Sequence, residues 1–220
     1  MGLNYVGLHV PVGRIGADQL MEGARLADNY GNGEIRLTVD QNIILAGVSD
    51  ASLPGLLAEP LLVELKPNPS AVWRHLVACT GNDYCHFSLI DTKRHAVELA
   101  TELERRSVQL PRGARLHISG CIHACGKHHI ADIGLQGTNI RLGNRVEESA
   151  DVFVGGHLSP GPRLATKVME GVHTADLPVL IEALVRQDFQ QTVPLSLSHL
   201  SHTTCEPVAS TSVEDTNVPS

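Results

Sequence analysis

Four cysteines constrain this chain more than any other feature. They stand in two short turns, CTGNDYC with Cys79 and Cys85, and GCIHACG with Cys121 and Cys125, separated by 35 residues. Glycines at 81, 120 and 126 flank them. Glycine lets a backbone turn tightly and take torsions that other residues avoid, so both segments are suited to wrapping a bulky group. Any fold of this chain must bring two distant glycine-rich turns together, unless the thiols are simply small core hydrophobes. A disulfide framework is disfavoured, because no secretory leader opens the chain. Two metal readings stay open on the residues alone. Four thiolates suit tetrahedral zinc, although structural zinc sites usually space their cysteine pairs more closely than C-x5-C. They equally suit a 4Fe-4S cluster, which accepts wider and more variable spacing.

Around these turns the chain reads as α+β. Residues 5–10 form a strand. Asp18 caps a helix carrying Leu20, Ala24 and Ala27, stopped by Gly31 and Gly33; 34–39 and 42–46 are strands and 51–58 a short helix. That order fits a ferredoxin-like half. The breaker run 66–70, KPNPS, marks an internal boundary. Beyond it comes a helix over 86–106 with Leu89, His95 or Ala96, Leu99 and Leu103 on one face, and with Glu98 and Glu102 near Arg105 and Arg106. Strands follow at 114–119 and 131–137, then hairpin-like strands to 155 and a final helix over 176–187. The expected organisation is a half domain over 1–66, a cysteine-bearing domain over 71–188 and a disordered tail over 189–220. In that tail His199, His202 and Cys205 are weak candidate ligands, since a flexible segment offers nothing to orient them.

Charge narrows the function classes. Of the formal −7, four acids (Asp188, Glu206, Glu214, Asp215) lie beyond Arg186, the last basic residue, which leaves a mildly acidic body without a basic face for nucleic acid. No apolar run approaches the ~18 residues of a membrane span. A cytoplasmic location is the expectation, with no nucleic-acid and no membrane partner.

CTGNDYC followed by LIDTK, then GCIHACGKHHIADIGLQG and DVFVGG, resembles the C-terminal half of the sirohaem-containing nitrite and sulfite reductases. The stretch LHVPVGRIGADQL…GNGEIRLTVDQNIILAGV resembles the ferredoxin-like repeat that precedes those cysteines, so the likeness runs over about residues 3–187. CTGN, ADIGL and the GG after DVFV bring it nearer the ferredoxin-dependent nitrite reductase branch than sulfite reductase. The resemblance implies a ferredoxin-like half followed by the sirohaem domain. It implies a 4Fe-4S cluster on Cys79, Cys85, Cys121 and Cys125, with Cys125 bridging to sirohaem iron. The implied activity is six-electron reduction of nitrite to ammonia, or of sulfite to sulfide, with ferredoxin or another low-potential donor supplying electrons.

By the same likeness, Gln41 and Asn42 of TVDQN lie beside the macrocycle, as carboxylate-binding amides or as ordinary turn caps. Ile122 and His123 replace the family's usual Pro and Asn. His123, His128 and His129 are candidate proton sources, and Lys127 and Arg36 candidate positive groups. Most of the family's anion-clamping residues belong to an N-terminal half absent from this sequence. The expectation is therefore either a compact half-size enzyme that self-associates or the C-terminal portion of a larger one. The basic stretch 93–115 is the candidate docking surface for the donor. Rival readings are a precorrin-3B synthase-like enzyme, a non-catalytic iron–sulfur electron-transfer module and a structural zinc module.

Overall fold

The computed structural model describes residues 2–111, 113–158, 161–186 and 206–207. Strand β1 (Leu3–Leu8) is followed by a single 3-10 turn at Pro11–Gly13, helix α1 (Ala17–Tyr30), β2 (Ile35–Leu37), β3 (Ile43–Ser49) and α2 (Leu53–Leu57). The three strands form an antiparallel sheet in the order β1-β3-β2. Alternation in β1 and β3 turns Val6, Leu8, Ile43 and Leu45 to one face, a register irregularity brings Val48 in beside them, and together they bury against Leu26 and Ala27 of α1 and Leu56 of α2. This is the expected strand–helix–strand–strand–helix order. The cap differs: Gly16 is the N-cap, its N–H donating to Gln19 Oε1 at 2.9 Å, while Asp18 sits in the first turn. Leu20 points to solvent.

Short helices α3 (Leu61–Glu64) and α4 (Ala71–Arg74) lead into β4 (Leu76–Ala78), α5 (Thr92–Arg105), β5 (Leu116–Ser119), β6 (Ile133–Leu142), β7 (Arg145–Val154), β8 (Thr166–His173) and α6 (Leu177–Arg186). Strands β4, β5 and β6 run parallel, then β7 and β8 continue antiparallel, and residues 206–207 pair with the far end of β6. Helix α5 is the crossover between β4 and β5 and packs Ala96, Leu99 and Leu103 on Leu116, Ile118 and Leu135.

The expected helix over 86–106 begins only at Thr92. Asp91 stops it earlier by accepting the Arg94 N–H at 3.1 Å, as an N-cap does. Leu89, expected on the core face, lies outside the helix and is 45% exposed. Glu102 binds both Arg105 and Arg106 at 2.7 Å, but Glu98 turns to Arg94 at 3.3 Å. Residues 133–142 form one strand rather than two, and β8 was not legible in the sequence at all. The tail expected over 189–220, with His199, His202 and Cys205, lies outside the described residues apart from 206–207.

Candidate metal centre

The topology explains why the two cysteine turns meet. Adjacent parallel strands β4 and β5, in register at Ala78 and Ile118, end at the same edge of the sheet. The chain leaves each strand end directly into a cysteine turn, Cys79 after Ala78 and Cys121 after Ser119-Gly120. Carboxyl ends of parallel strands are where such sheets form ligand crevices. The turns then lock onto each other: Cys79 N–H donates to Ile118 O at 2.9 Å and Leu89 N–H to Gly120 O at 2.8 Å. At Gly120 a Cβ would lie 1.9 Å from Ser88 Oγ, and at Gly126 2.0 Å from the Ile118 carbonyl oxygen. The backbone wall at Gly126 admits only glycine, whereas at Gly120 a side chain would have to move aside.

The four thiols are free, three of them half-buried and Cys125 exposed. Cys79 is the most constrained. The Gly120 N–H donates to its Sγ at 3.1 Å and the Thr92 hydroxyl to its carbonyl at 2.8 Å. Cys85 N–H donates to Gly81 O at 3.1 Å, closing the first turn. Cys121 Sγ lies 3.3 Å from His123 Nδ1. Burial pushes the Cys121 thiol up, and the neighbouring Cys85, Cys79 and Cys125 push the same way. The other three sulfurs thus stand within electrostatic reach of Cys121. A set of mutually repelling thiolates is stabilised by a soft cation among them. Among the described residues no three His, Cys, Asp or Glu side chains are grouped to hold a single ion.

The half domain is bolted to this edge. Val12, at φ 48, inserts into the core of the larger sheet and is 4% exposed. Gln41, at φ 64, sets its side chain against the Ala78 backbone, donating through Nε2 to Ala78 O at 2.8 Å and accepting from Ala78 N–H at 3.3 Å. Lys93 is 7% exposed; its Nζ donates to Ala78 O at 2.8 Å and to the carbonyl of Val12. Burial lowers its pKa, with Arg14 adding to the effect, and Cys79 opposes it. Arg14 itself pairs with Asp83 in the first cysteine turn. Non-glycine residues at positive φ are uncommon, and a β-branched one is an outlier, so Val12 is held there by its packing.

The other expected site residues fall as follows. Asn42 Oδ1 accepts from Val10 N–H at 2.9 Å and His9 Nδ1 at 3.1 Å, while its Nδ2 donates to Asp40 O at 3.0 Å. It lines a cavity of about 310 Å³ with Tyr5, His9, Asp40, Arg74 and His75; the four cysteines do not line it. Lys127, at φ 62, reaches back to the half domain, donating to Val39 O at 2.9 Å and Asp40 Oδ1 at 2.8 Å. His123 sits at the loop tip with its ring 5.1 Å from Phe87. His128 is fully buried, its Nδ1 2.8 Å from Ser119 Oγ, and burial, with His129 adding, pulls its pKa to about 4. His117, which sequence reasoning passed over, is buried beside it. Its Nδ1 donates to Lys127 O at 3.2 Å and burial brings its pKa to about 4. Burial thus disfavours the charged form of both rings. Arg36 is exposed and paired with Glu34 at 2.9 Å.

Lys93, Arg94, Arg105, Arg106 and Arg115, from the expected docking stretch 93–115, are engaged within the protein. Lys93 is interior, Arg94 pairs with Glu148, Arg105 and Arg106 with Glu102, and Arg115 with Asp132. Among the described residues no helix is long and apolar enough to cross a membrane.

Comparison with known proteins adds an independent line. Residues 2–63 match the model of the nitrite/sulfite reductase ferredoxin-like half domain, and residues 70–188 that of the nitrite and sulphite reductase 4Fe-4S domain. The chain is 48% identical over 188 residues to a ferredoxin–nitrite reductase of Synechococcus elongatus, covering 86% of this chain and 36% of that protein. It is 48% identical over 190 residues to the chloroplastic ferredoxin–nitrite reductase of Zea mays, covering 84% and 33%. The solved structure of the Mycobacterium tuberculosis NirA protein superposes with a TM-score of 0.76 at 33% identity, covering 84% of this chain and 35% of that one. The chain spans about a third of the length of the curated relatives it matches.

Proposed function

The chain belongs to the nitrite and sulfite reductase family, a family of oxidoreductases that carry sirohaem and a 4Fe-4S cluster, and from that premise we propose that it forms the cluster-bearing side of a nitrite reductase. The reaction is six-electron reduction of nitrite to ammonia with ferredoxin as donor, the substrate and donor carried in the names of the relatives. The observation that carries the reading is the donor set: four free thiols gathered at one sheet edge, three sheltered and Cys125 exposed. Cys79, Cys85, Cys121 and Cys125 would hold the cluster, and the outward thiol of Cys125 suits a ligand shared with sirohaem. The bound groups would supply the one-electron chemistry.

The chain's own residues position and shelter. Gly120 and Gly126 let the backbone close on the thiols, Thr92 and the Gly120 amide orient Cys79, Gln41 holds the TVDQN turn against β4, and Asn42 ties it to the chain after β1. Lys127 pins the second cysteine turn to Asp40. His123 is the candidate proton carrier at the surface of the site, beside the exposed Phe87.

Anaerobic purification followed by an absorption spectrum and assays of iron, zinc and acid-labile sulfide tests this. Iron and sulfide with a coupled sirohaem spectrum are expected, and C125S should disturb both groups at once. Zinc without sulfide would overturn it. One observation favours a second reading, an electron-transfer module without the macrocycle: Arg36 and Lys127, the candidate anion-binding cations, are each engaged with a carboxylate. Cluster without sirohaem absorbance, in cells that make sirohaem, would select that reading.

A further inference from the structure

Lys93 is out of place as an ordinary structural lysine. Lysines are almost never fully buried unless paired, and an ammonium taken out of water costs several kcal/mol unless an opposite charge faces it. Lys93 is 7% exposed, yet among the described residues no carboxylate lies within ion-pair distance of its Nζ. The charged groups around it are committed elsewhere. Asp91, on the same helix end, caps Arg94, and Arg14, which repels Lys93, pairs with Asp83. A thiolate at Cys79 would favour the charged form of Lys93. Two carbonyl oxygens, of Val12 and Ala78, take its protons, and Ala78 is the residue immediately before Cys79. An amide side chain can donate to a carbonyl without burying a charge, as Gln41 does to the same Ala78 oxygen.

We infer that Lys93 is a positioning residue and counter-charge: it ties the 11–13 turn of the half domain to the Cys79 strand end and offsets the negative charge of the thiolate-bound cluster there. The inference rests on the cluster reading above. A four-thiolate cluster is anionic and gains one further negative charge on reduction, so a fixed cation beside one corner favours the reduced state.

The test uses the full chain, reconstituted anaerobically with ferrous iron and sulfide, as wild type, K93M and K93R. An EPR-monitored redox titration is expected to show the reduced-to-oxidised ratio at fixed poise falling about tenfold in K93M, ~59 mV for one electron, and staying within about twofold of wild type in K93R. Urea unfolding midpoints, with and without cluster, are expected to drop further for K93M in the loaded than in the cluster-free chain. Unchanged reduction of K93M, or equal midpoint losses in the two forms, would overturn the counter-charge role and leave a plain backbone tie. If K93M does not fold, K93Q, which keeps an N–H donor without the charge, is read against K93R in the same titration. A wild-type chain that takes up no iron and sulfide overturns the cluster reading and this inference together. A wild type that loads, with K93M titrating as it does, overturns this inference alone.

Discussion

The two cysteine turns leave neighbouring strand ends, but the protein treats them differently. The first turn is built inward. Cys79 is fixed at its N–H, carbonyl and sulfur, by Ile118, Thr92 and Gly120 respectively, and the half domain bears on the residue before it through Gln41, while Lys93 ties that residue's carbonyl to Val12 of the half domain. The second turn is built outward. Ala124 and Lys127 sit at φ 57 and 62, and Cys125 is exposed, its sulfur no nearer to a partner than the His123 carbonyl at 3.9 Å. A thiol locked into the fold is suited to hold a group in place, and one presented to solvent is suited to share a group with something beyond the fold. What the second turn shares with the first is its base, where Gly126 lies against β5 and its N–H donates to Ser119 Oγ at 3.1 Å.

The largest effect expected on this contrast is at that base. Gly126→Ala sets a methyl against the backbone oxygen of Ile118, which cannot rotate away, so the cluster-free chain should lose at least about 3 kcal/mol in urea unfolding. Gly120→Ala meets Ser88 Oγ, the movable end of a side chain. It should cost less, and S88A should recover part of the loss. Equal costs for the two glycines would break the distinction between a backbone wall and a side-chain wall.

Acid should act next. His117 and His128 have folded pKa values near 4 against about 6.5 unfolded, so below pH 6.5 the unfolded chain binds the extra protons. Their contribution is full above pH 6.5 and is lost as pH falls toward 4, on the order of a few kcal/mol in total. The melting temperature of the cluster-free chain, measured across that window, should fall steeply, and less steeply in H128L. A flat profile would mean that these rings are not held neutral.

Gln41→Ala removes the clamp on Ala78 and should cost about 1–2 kcal/mol, with faster limited proteolysis in the 66–70 link. The smallest effect sharpens the comparison most directly. Without cluster, C125S should change stability by less than about 0.5 kcal/mol, whereas C79S should cost about 1 kcal/mol. Equal values would show that the inward and outward turns are alike.

Several of these features were legible in the chain's letters. Cysteines announce themselves because thiol chemistry belongs to the residue, and glycines 120 and 126 because only a missing Cβ explains them beside a metal-ligating turn. The order of elements in the half domain followed from period-2 and helical spacing. Other readings failed where a non-local partner decides. A helical pattern over 86–106 gives no sign that, before the helix starts at Thr92, Leu89 N–H will donate to Gly120 O and Asp91 N–H to Glu148 Oε1. Strand β8 carries no clean alternation, because it is a partly exposed outer strand of its sheet, beyond β7. Lys93 and Arg115 looked like two ends of one basic face, yet one is interior and the other is neutralised by Asp132.

The sequence by itself therefore determined which atoms are the candidate ligands: four thiols, in two turns, of a family that can be recognised from their surroundings. Tertiary structure alone decided what surrounds them. The parallel register of β4 and β5 brings turns 35 residues apart to one edge, and the packing of the half domain buries a lysine against the first of them. The reason is physical: ligand chemistry is a property of a side chain, whereas burial, charge pairing and hydrogen bonding are properties of its neighbours, and those neighbours are distant in the chain.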